Sequence, residues 1–126
     1  MRKSSASPKA EMALLPLQRY KVEGASMEPA LKRGDRLLLW KPGAVRRSDI
    51  IVFSATGREM VKRVVGLPGE TLWQREQEVT LGKDEYFVAG DNPSESTDSR
   101  SFGPIRRSQI RGRVLLRYLP RPGRVR

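Results

Sequence analysis

Glu59-Met60-Val61-Lys62-Arg63-Val64-Val65-Gly66 is the stretch on which the fold of this chain turns. Its length and its β-branched valines fit a strand, in which successive side chains leave on opposite faces. Met60, Lys62 and Val64 then share one face, and Val61, Arg63 and Val65 share the other. One cation on each face of an apolar strand means that at least one of them sits against a core. Burial disfavours the ammonium form and lowers a lysine's pKa. A neutral lysine is a general base. The same residues also fit an exposed edge strand that carries Lys62 and Arg63 as charges against edge-to-edge pairing. Both readings stand at this point.

Working outward, dense punctuation cuts the rest of the chain into short pieces: Gly34-Asp35, Pro42-Gly43, Gly57, Pro68-Gly69, Gly82, Gly90-Asp91-Asn92-Pro93 and Gly103-Pro104. Short apolar runs between such breakers predict strands at Tyr20–Glu23, Arg36–Trp40, Asp49–Phe53, Glu59–Gly66, Thr71–Gln74, Tyr86–Ala89 and Gly112–Tyr118. No stretch carries an apolar helical stripe over three turns. The fold class is therefore mainly β, a coiled or barrel-like set of antiparallel sheets, with one short helical turn over Ser26–Leu31. Leu37-Leu38-Leu39-Trp40 is expected to be a strand buried on both faces; its alternative is an apolar patch that docks at a bilayer. Residues 1–18 are rich in Ser, Ala, Pro and Lys without periodicity, which predicts a flexible arm. The folded domain is expected over 19–119, with a basic tail over 120–126.

The 126 residues fit one domain, and 37% hydrophobic with 31% charged residues is a globular composition. Cysteine and histidine are both absent. That excludes a Ser-His-Asp triad, a cysteine nucleophile, a zinc finger and any Cys- or His-ligated metal. Neither cofactor nor metal is expected, and any acid–base or nucleophilic chemistry has to come from Ser, Thr, Lys, Tyr, Asp and Glu. The formal charge is +11. Arg106, Arg107, Arg111, Arg113, Arg117, Arg121, Arg124 and Arg126 follow Pro104 with no acid among them, so +8 of the +11 lies there and +3 elsewhere. Such a tail fits an anionic partner, with peripheral contact to an anionic membrane as one form of it, or else a solvated basic face. Nucleic acid is the less fitting partner, because Tyr118 is the only aromatic near the tail available for base stacking. No segment approaches the roughly 20 apolar residues of a membrane-spanning helix. The apolar run Met12–Leu17, broken by Pro16, is shorter than the ~7–15-residue hydrophobic region of a secretory signal. A location in the cytoplasm or peripheral to a membrane is expected.

Gly24-Ala25-Ser26-Met27-Glu28-Pro29 places a serine after a short strand, with small neighbours that let a substrate backbone approach. Alone, such a serine also fits a helix N-cap. Beside a desolvated Lys62 the chemistry becomes coherent: lysine takes the Ser26 hydroxyl proton and later protonates the leaving amine, while the Ser26 N–H holds the oxyanion.

These residues stand in an ordered set of blocks. Ser26-Met27-Glu28-Pro29 is followed by Gly34-Asp35, by Asp49-Ile50-Ile51-Val52-Phe53, by Val61 through Glu70, and by Tyr86 through Arg100. In that order they resemble the boxes of the type I signal peptidase family, over roughly residues 20 to 113. The resemblance implies a compact, coiled antiparallel β fold shared with the LexA group, and a Ser/Lys dyad endopeptidase that removes a leader from a precursor protein. By the same resemblance Ser26 is the nucleophile and Lys62 the general base, Ser96 orients the lysine, and Asp98 with Arg100 forms an ion pair behind the site. Gly24, Ala25 and Met27 are the expected substrate-binding positions, and Gly90, Asp91 and Asn92 the turn that places the last block. The short segment between Lys62 and Gly90 implies an accessory region reduced to a hairpin or two. In this the chain resembles the small relatives that trim one dedicated precursor, such as the maturation proteases of nickel-type superoxide dismutase.

Two rivals differ in purpose. A self-cleaving regulator like the LexA group shares the dyad, but only 25 residues precede Ser26, too few for a helix-turn-helix domain. A non-catalytic basic β-barrel that binds nucleic acid would leave Lys62 exposed and charged.

Overall fold

The computed structural model describes residues 16–125. Among these residues nine strands form one seven-stranded antiparallel sheet and a separate two-stranded ribbon, with short helical turns between them. In chain order the strands are β1 (Leu17–Lys21), β2 (Arg36–Trp40), β3 (Ile50–Ala55), β4 (Arg58–Gly66), β5 (Thr71–Gln74), β6 (Gln77–Thr80), β7 (Glu85–Ala89), β8 (Ile105–Arg106) and β9 (Ile110–Leu119). A one-turn helix, α1 (Ser99–Phe102), lies between β7 and β8. The large sheet runs β1-β2-β9-β3-β4-β7-β8, and β5 pairs only with β6.

Ile50-Ile51-Val52-Phe53 explains why β3 lies inside the sheet: an apolar run with no polar face must be covered on both sides. Its residues enter two cores in turn. Ile50 and Val52 join Val22, Met27, Leu31, Leu37, Leu39 and Val61. Ile51 and Phe53 join Ala55, Val64, Tyr86, Val88, Ile105 and Ile110. Each fully buried Leu, Val or Phe contributes about 1.5–3 kcal/mol relative to an exposed side chain. Strand β4 is threaded between these clusters, with Val61 in the first and Val64 in the second. It is joined to β3 by Thr56-Gly57, both at positive φ, the tight turn whose twist suits an antiparallel pair.

Several expectations are corrected. β1 begins at Leu17 and ends at Lys21, where the apolar pattern pointed to Tyr20–Glu23. Pairing with β2 sets its position, Leu17 lying opposite Trp40 and Lys21 opposite Arg36. Leu17 and Gln18 are thus part of the sheet, while residues 1–15 of the expected arm lie outside the described residues. β6 was not expected, because the turn before it, Arg75-Glu76, carries positive φ on two residues that are not usual turn formers. β8 has only two residues, below the length that an alternation pattern needs. Leu37–Trp40 is not buried on both faces: Leu37 and Leu39 point into the core, Leu38 is half-buried and Trp40 is exposed. The accessory region between β4 and β7 is the single β5–β6 ribbon.

Residues 120–125 are not a free tail. Arg117 and Gly123 exchange two backbone hydrogen bonds of 2.9 Å, and Val125 packs against the first core. Three of the arginines after Pro104 are also tied into the fold. Arg107 donates to the carbonyls of Pro42 and Gly43, Arg111 to Glu59 and Gln18, and Arg117 to Asp35 and the Arg121 carbonyl. The short helical turn expected over Ser26–Leu31 is not a helix: the segment is a tight turn in which the Leu31 N–H donates to the Met27 carbonyl at 2.9 Å.

Gly66 ends β4 where the ribbon folds onto the sheet. A Cβ there would lie 2.8 Å from Leu72 Cδ1, 2.9 Å from Phe87 Cβ and 3.0 Å from Leu81 Cδ1. Gly66→Ala is therefore expected to cost about 1–3 kcal/mol, the usual penalty of overpacking. A thermal melt checks this; an unchanged melting temperature contradicts the packing described.

Candidate active site

Three segments meet around Lys62. The first is the loop after β1, which brings Ser26 to the edge of the cleft. Lys62 Nζ and Ser26 Oγ stand 2.7 Å apart, within hydrogen-bonding reach. Lys62 is 5% exposed, although the next residue of its strand is the charged Arg63 on the opposite face. Burial lowers its pKa below the ordinary lysine value; the charge of Asp98 opposes this and that of Arg100 reinforces it. The edge-strand reading of Lys62 is thereby ruled out by its burial, and with it the premise of a nucleic-acid barrel that needs this lysine exposed.

The second segment is the turn after β7. Arg63, on the opposite face of β4 from Lys62, donates from Nε and Nη2 to the two carboxylate oxygens of Asp91 at 2.9 and 2.8 Å. The neighbouring Asn92 N–H donates to the Ser26 carbonyl at 2.8 Å, and Asn92 Nδ2 donates to the Ala25 carbonyl at 3.0 Å. One turn thus holds both the strand of the lysine and the backbone of the serine. Gly90 has to be a glycine here. A Cβ on it would fall 2.3 Å from Ser96 Oγ and 2.6 Å from the Ser26 carbonyl oxygen.

The third segment carries Ser96, Asp98 and Arg100. Asp98 is 1% exposed and accepts from Gly90 N at 2.9 Å, Ser96 Oγ at 2.7 Å, Arg100 N at 3.1 Å and Arg100 Nε at 2.8 Å. Burial pushes its carboxyl pKa up. The Arg100 guanidinium, the Gly90 N–H, the Ser96 hydroxyl and the Arg100 N–H outweigh that and hold it well below the usual carboxylate range. Asp98 is thus ionised at neutral pH and caps α1 through the Arg100 N–H. Ser96 spends its hydroxyl hydrogen on Asp98, so its remaining capacity is as an acceptor.

A cleft of about 220 Å3 opens beside the dyad. Tyr20, Val22, Glu23, Gly24, Ala25 and Ser26 form one wall, and Arg58, Glu59, Met60, Val61 and Lys62 the other. Gly24 and Ala25 stand where substrate-binding residues were expected. Met27 does not: it is 0% exposed and packed in the first core, because its side chain leaves the loop on the side away from the cleft. Reasoning on the sequence missed Tyr20, Glu59, Arg63 and the carbonyl contacts of Asn92. An acid at position 91 opposite a buried-face arginine was the available signal for the Arg63 pair.

The family described as signal peptidase, peptidase S26, matches residues 10–83 and 70–119. The chain belongs to the peptidase S26 family of signal peptidases. It is 35% identical to signal peptidase I of Bacillus caldolyticus over 154 aligned positions, covering 88% of this chain and 84% of that one. It is 36% identical to the mitochondrial inner membrane protease subunit 1 of Xenopus tropicalis over 110 positions, 77% of this chain and 66% of the relative. A crystal structure of signal peptidase I from Enterococcus faecalis superposes with a TM-score of 0.51 at 25% identity, covering 56% of this chain and 97% of that chain. The fold is that of signal peptidase I, and this member of the family is a serine-type endopeptidase. The 154 aligned positions exceed the 126 residues of this chain. Bacillus caldolyticus signal peptidase I therefore carries inserted residues that this chain lacks.

The opposed effects of Asp98 and Arg100 on Lys62 generate a test. Arg100→Gln leaves the Asp98 charge uncompensated, which favours the ammonium of Lys62 and raises its pKa. The pH at which activity is half-maximal is expected to move alkaline in Arg100→Gln, and a pH–rate profile that stays in place would contradict the electrostatics described.

Proposed function

We propose that this endopeptidase removes an N-terminal signal or leader peptide from a precursor protein, with Ser26 as nucleophile and Lys62 as general base. The 2.7 Å contact between Ser26 Oγ and a lysine withdrawn from water carries this reading. Neutral Lys62 takes the Ser26 proton as Oγ attacks the scissile carbonyl. The Ser26 N–H donates to no backbone acceptor among the described residues and is the donor proposed for the oxyanion. When the tetrahedral intermediate collapses, the ammonium of Lys62 gives its proton to the leaving amine. Water, deprotonated in turn by Lys62, then releases the leader from Ser26. Lys62 Nζ is hydrogen-bonded to Ser26 and not to Ser96 among the described residues, so Ser96, turned by its bond to Asp98, is assigned only the orienting of the last block.

The substrate backbone has two open edges to pair with. β7 covers β4 only along Arg63–Gly66, leaving Arg58–Lys62 unpaired on that side. Across the cleft, Val22 is bonded to Gly34 and Asp35, while Glu23 and Gly24 face the opening. An extended leader fits between them by strand addition. Gly24 and Ala25 leave room for its backbone.

A surface location at an anionic membrane is the second part of the proposal. No helix among the described residues is long and apolar enough to cross a membrane. Leu17, Trp40, Leu115 and Leu119 are exposed on β1, β2 and β9, and Arg36 stands opposite Leu119, with Arg121 and Arg124 beyond. Exposed Trp and Leu flanked by arginine suit the interface of an anionic bilayer.

Ser26→Ala and Lys62→Met are each expected to reduce cleavage of a precursor more than about 10³-fold. New N-termini read by mass spectrometry check this, and retained cleavage in either variant removes the dyad assignment. A lysine with a lowered folded pKa costs stability at every pH below about 10.4, since the unfolded chain takes up the proton more readily. Lys62→Met is therefore expected to melt at the same or a higher temperature near neutral pH. In the unaltered chain, activity rises with pH through a midpoint below the ordinary lysine value, because the base must be neutral. Vesicles of anionic lipid are expected to sediment the chain more than zwitterionic ones, and Trp40→Ser to weaken that binding; equal partition between the two lipids removes the membrane proposal.

A further inference from the structure

Beside the cleft, one side chain bonds to the strands of both walls. Arg111, at the start of β9, donates from Nη1 to both carboxylate oxygens of Glu59 at 2.8 and 3.0 Å. Its Nε donates to Gln18 Oε1 at 2.6 Å, and its Nη2 to the Arg19 carbonyl at 3.0 Å. Glu59 belongs to the β4 wall of the cleft, and Gln18 and Arg19 lie on β1 next to Tyr20, the last lining residue of the other wall. β1 and β4 are not neighbours in the sheet, where β2, β9 and β3 stand between them. Arg111 is therefore a tie between two walls that no backbone ladder connects directly. The half-buried phenol of Tyr20 lies beside this tie. Burial, then Glu59, then Glu23, raise its pKa, and Arg111 lowers it, as expected for a ring seated between those groups.

The tie fixes a length. Glu59 is three residues before Lys62 on β4, about 10 Å at a strand rise of about 3.3 Å per residue. Apart from Glu95 and Thr97, the lining residues precede Ser26 or Lys62 on their own segments, so most of the groove runs to one side of the dyad. That side holds the leader, whose last residue stays esterified to Ser26 until water arrives. We propose that Arg111, through Glu59 and the Gln18–Arg19 segment, closes the distal end of the substrate groove and limits recognition of the leader to about its last four residues. Residues further upstream turn away from the groove at the tie and make no ordered contact. The inference rests on the leader-peptidase reading of the dyad. Arg111 is in this sense a specificity-determining residue, acting on the length of leader that is read and not on the proton transfers.

A series of peptides with one common cleavage site and leaders of two, four, six and eight residues tests it. For the unaltered chain, kcat/KM is expected to rise up to four leader residues and then to change less than about twofold, since no further hydrogen bond is added. In Arg111→Gln and in Glu59→Gln the groove is open, and extension from four to eight residues is expected to raise kcat/KM by about fivefold, the size of one added hydrogen bond. Arg111→Lys keeps one contact to Glu59 and should fall between. The pH midpoint of activity stays in place in all three, which a disturbed dyad would not allow. The same series is titrated against the Ser26→Ala chain by fluorescence anisotropy, so that binding is read without cleavage. A continued rise beyond four residues in the unaltered chain, or the same length profile in Arg111→Gln as in the unaltered chain, overturns the proposal. If the unaltered chain cleaves no peptide, the leader-peptidase reading fails, and the anisotropy profile still decides whether the groove ends at the tie.

Discussion

A lysine can serve as a base near neutral pH only while water is kept from its ammonium form, and most of the site follows from that constraint. Lys62 is enclosed because β4 runs between two cores, with Val61 packed in one and Val64 in the other. Its carbon stem is carried by the apolar strand, and its nitrogen emerges 2.7 Å from Ser26 Oγ. An ammonium in that place would have lost its hydration without gaining a direct carboxylate partner, which is the cost that lowers its pKa. Asp98, the carboxylate whose charge acts on Lys62, is already committed to Arg100, Ser96 and Gly90. Were it free to reach Lys62, a salt bridge would hold the lysine charged.

The Ser26–Lys62 contact also has to survive thermal motion, and the ties that hold it come from elements far apart in the chain. Ser26 sits on a loop, Lys62 on a strand, and the turn at Gly90–Asn92 fastens one to the other through the Arg63–Asp91 pair and the two Asn92 contacts. Asp91 is half-buried, so its bidentate pair with Arg63 gives more than the usual surface ion pair, chiefly in orientation. Gly90 allows this turn to pass within van der Waals reach of both Ser96 and Ser26, where any side chain would push the loop outward and separate Ser26 from Lys62. A highly basic chain thus contains a site in which Lys62 is withdrawn from solvent and Arg63 and Arg100 are each paired with a carboxylate.

Much of this was legible in residue order. Alternation in Glu59–Gly66 placed cations on both faces of a strand, and the strand is where it was expected, one residue longer. Arg36–Trp40 and Thr71–Gln74 coincide with β2 and β5. The failures have local causes. The β5–β6 turn is built by Arg75-Glu76, whose composition does not announce a turn, so β6 was invisible. Four apolar residues in Leu37–Trp40 looked like a doubly covered strand. Only the position of β2 near the sheet edge, between β1 and β9, leaves Trp40 uncovered. Met27 follows the serine in the family block and invited a substrate role, but the loop directs it into the core.

The sequence by itself determined the chemistry available to this protein: without histidine or cysteine, a serine nucleophile has only lysine as an amine base, and the ordered blocks from Ser26 to Arg100 pair those two residues. It also determined the β class, through short apolar runs cut by Gly and Pro. The tertiary structure alone decided whether Lys62 is buried or a surface charge, because solvent exposure depends on what packs over both faces of β4. It alone decided which acids accompany which cations, joining Arg63 to Asp91 and Arg111 to Glu59 across 28 and 52 residues of chain. Such pairings depend on where the sheet order brings distant strands together, a property of the assembled fold that local residue patterns do not encode.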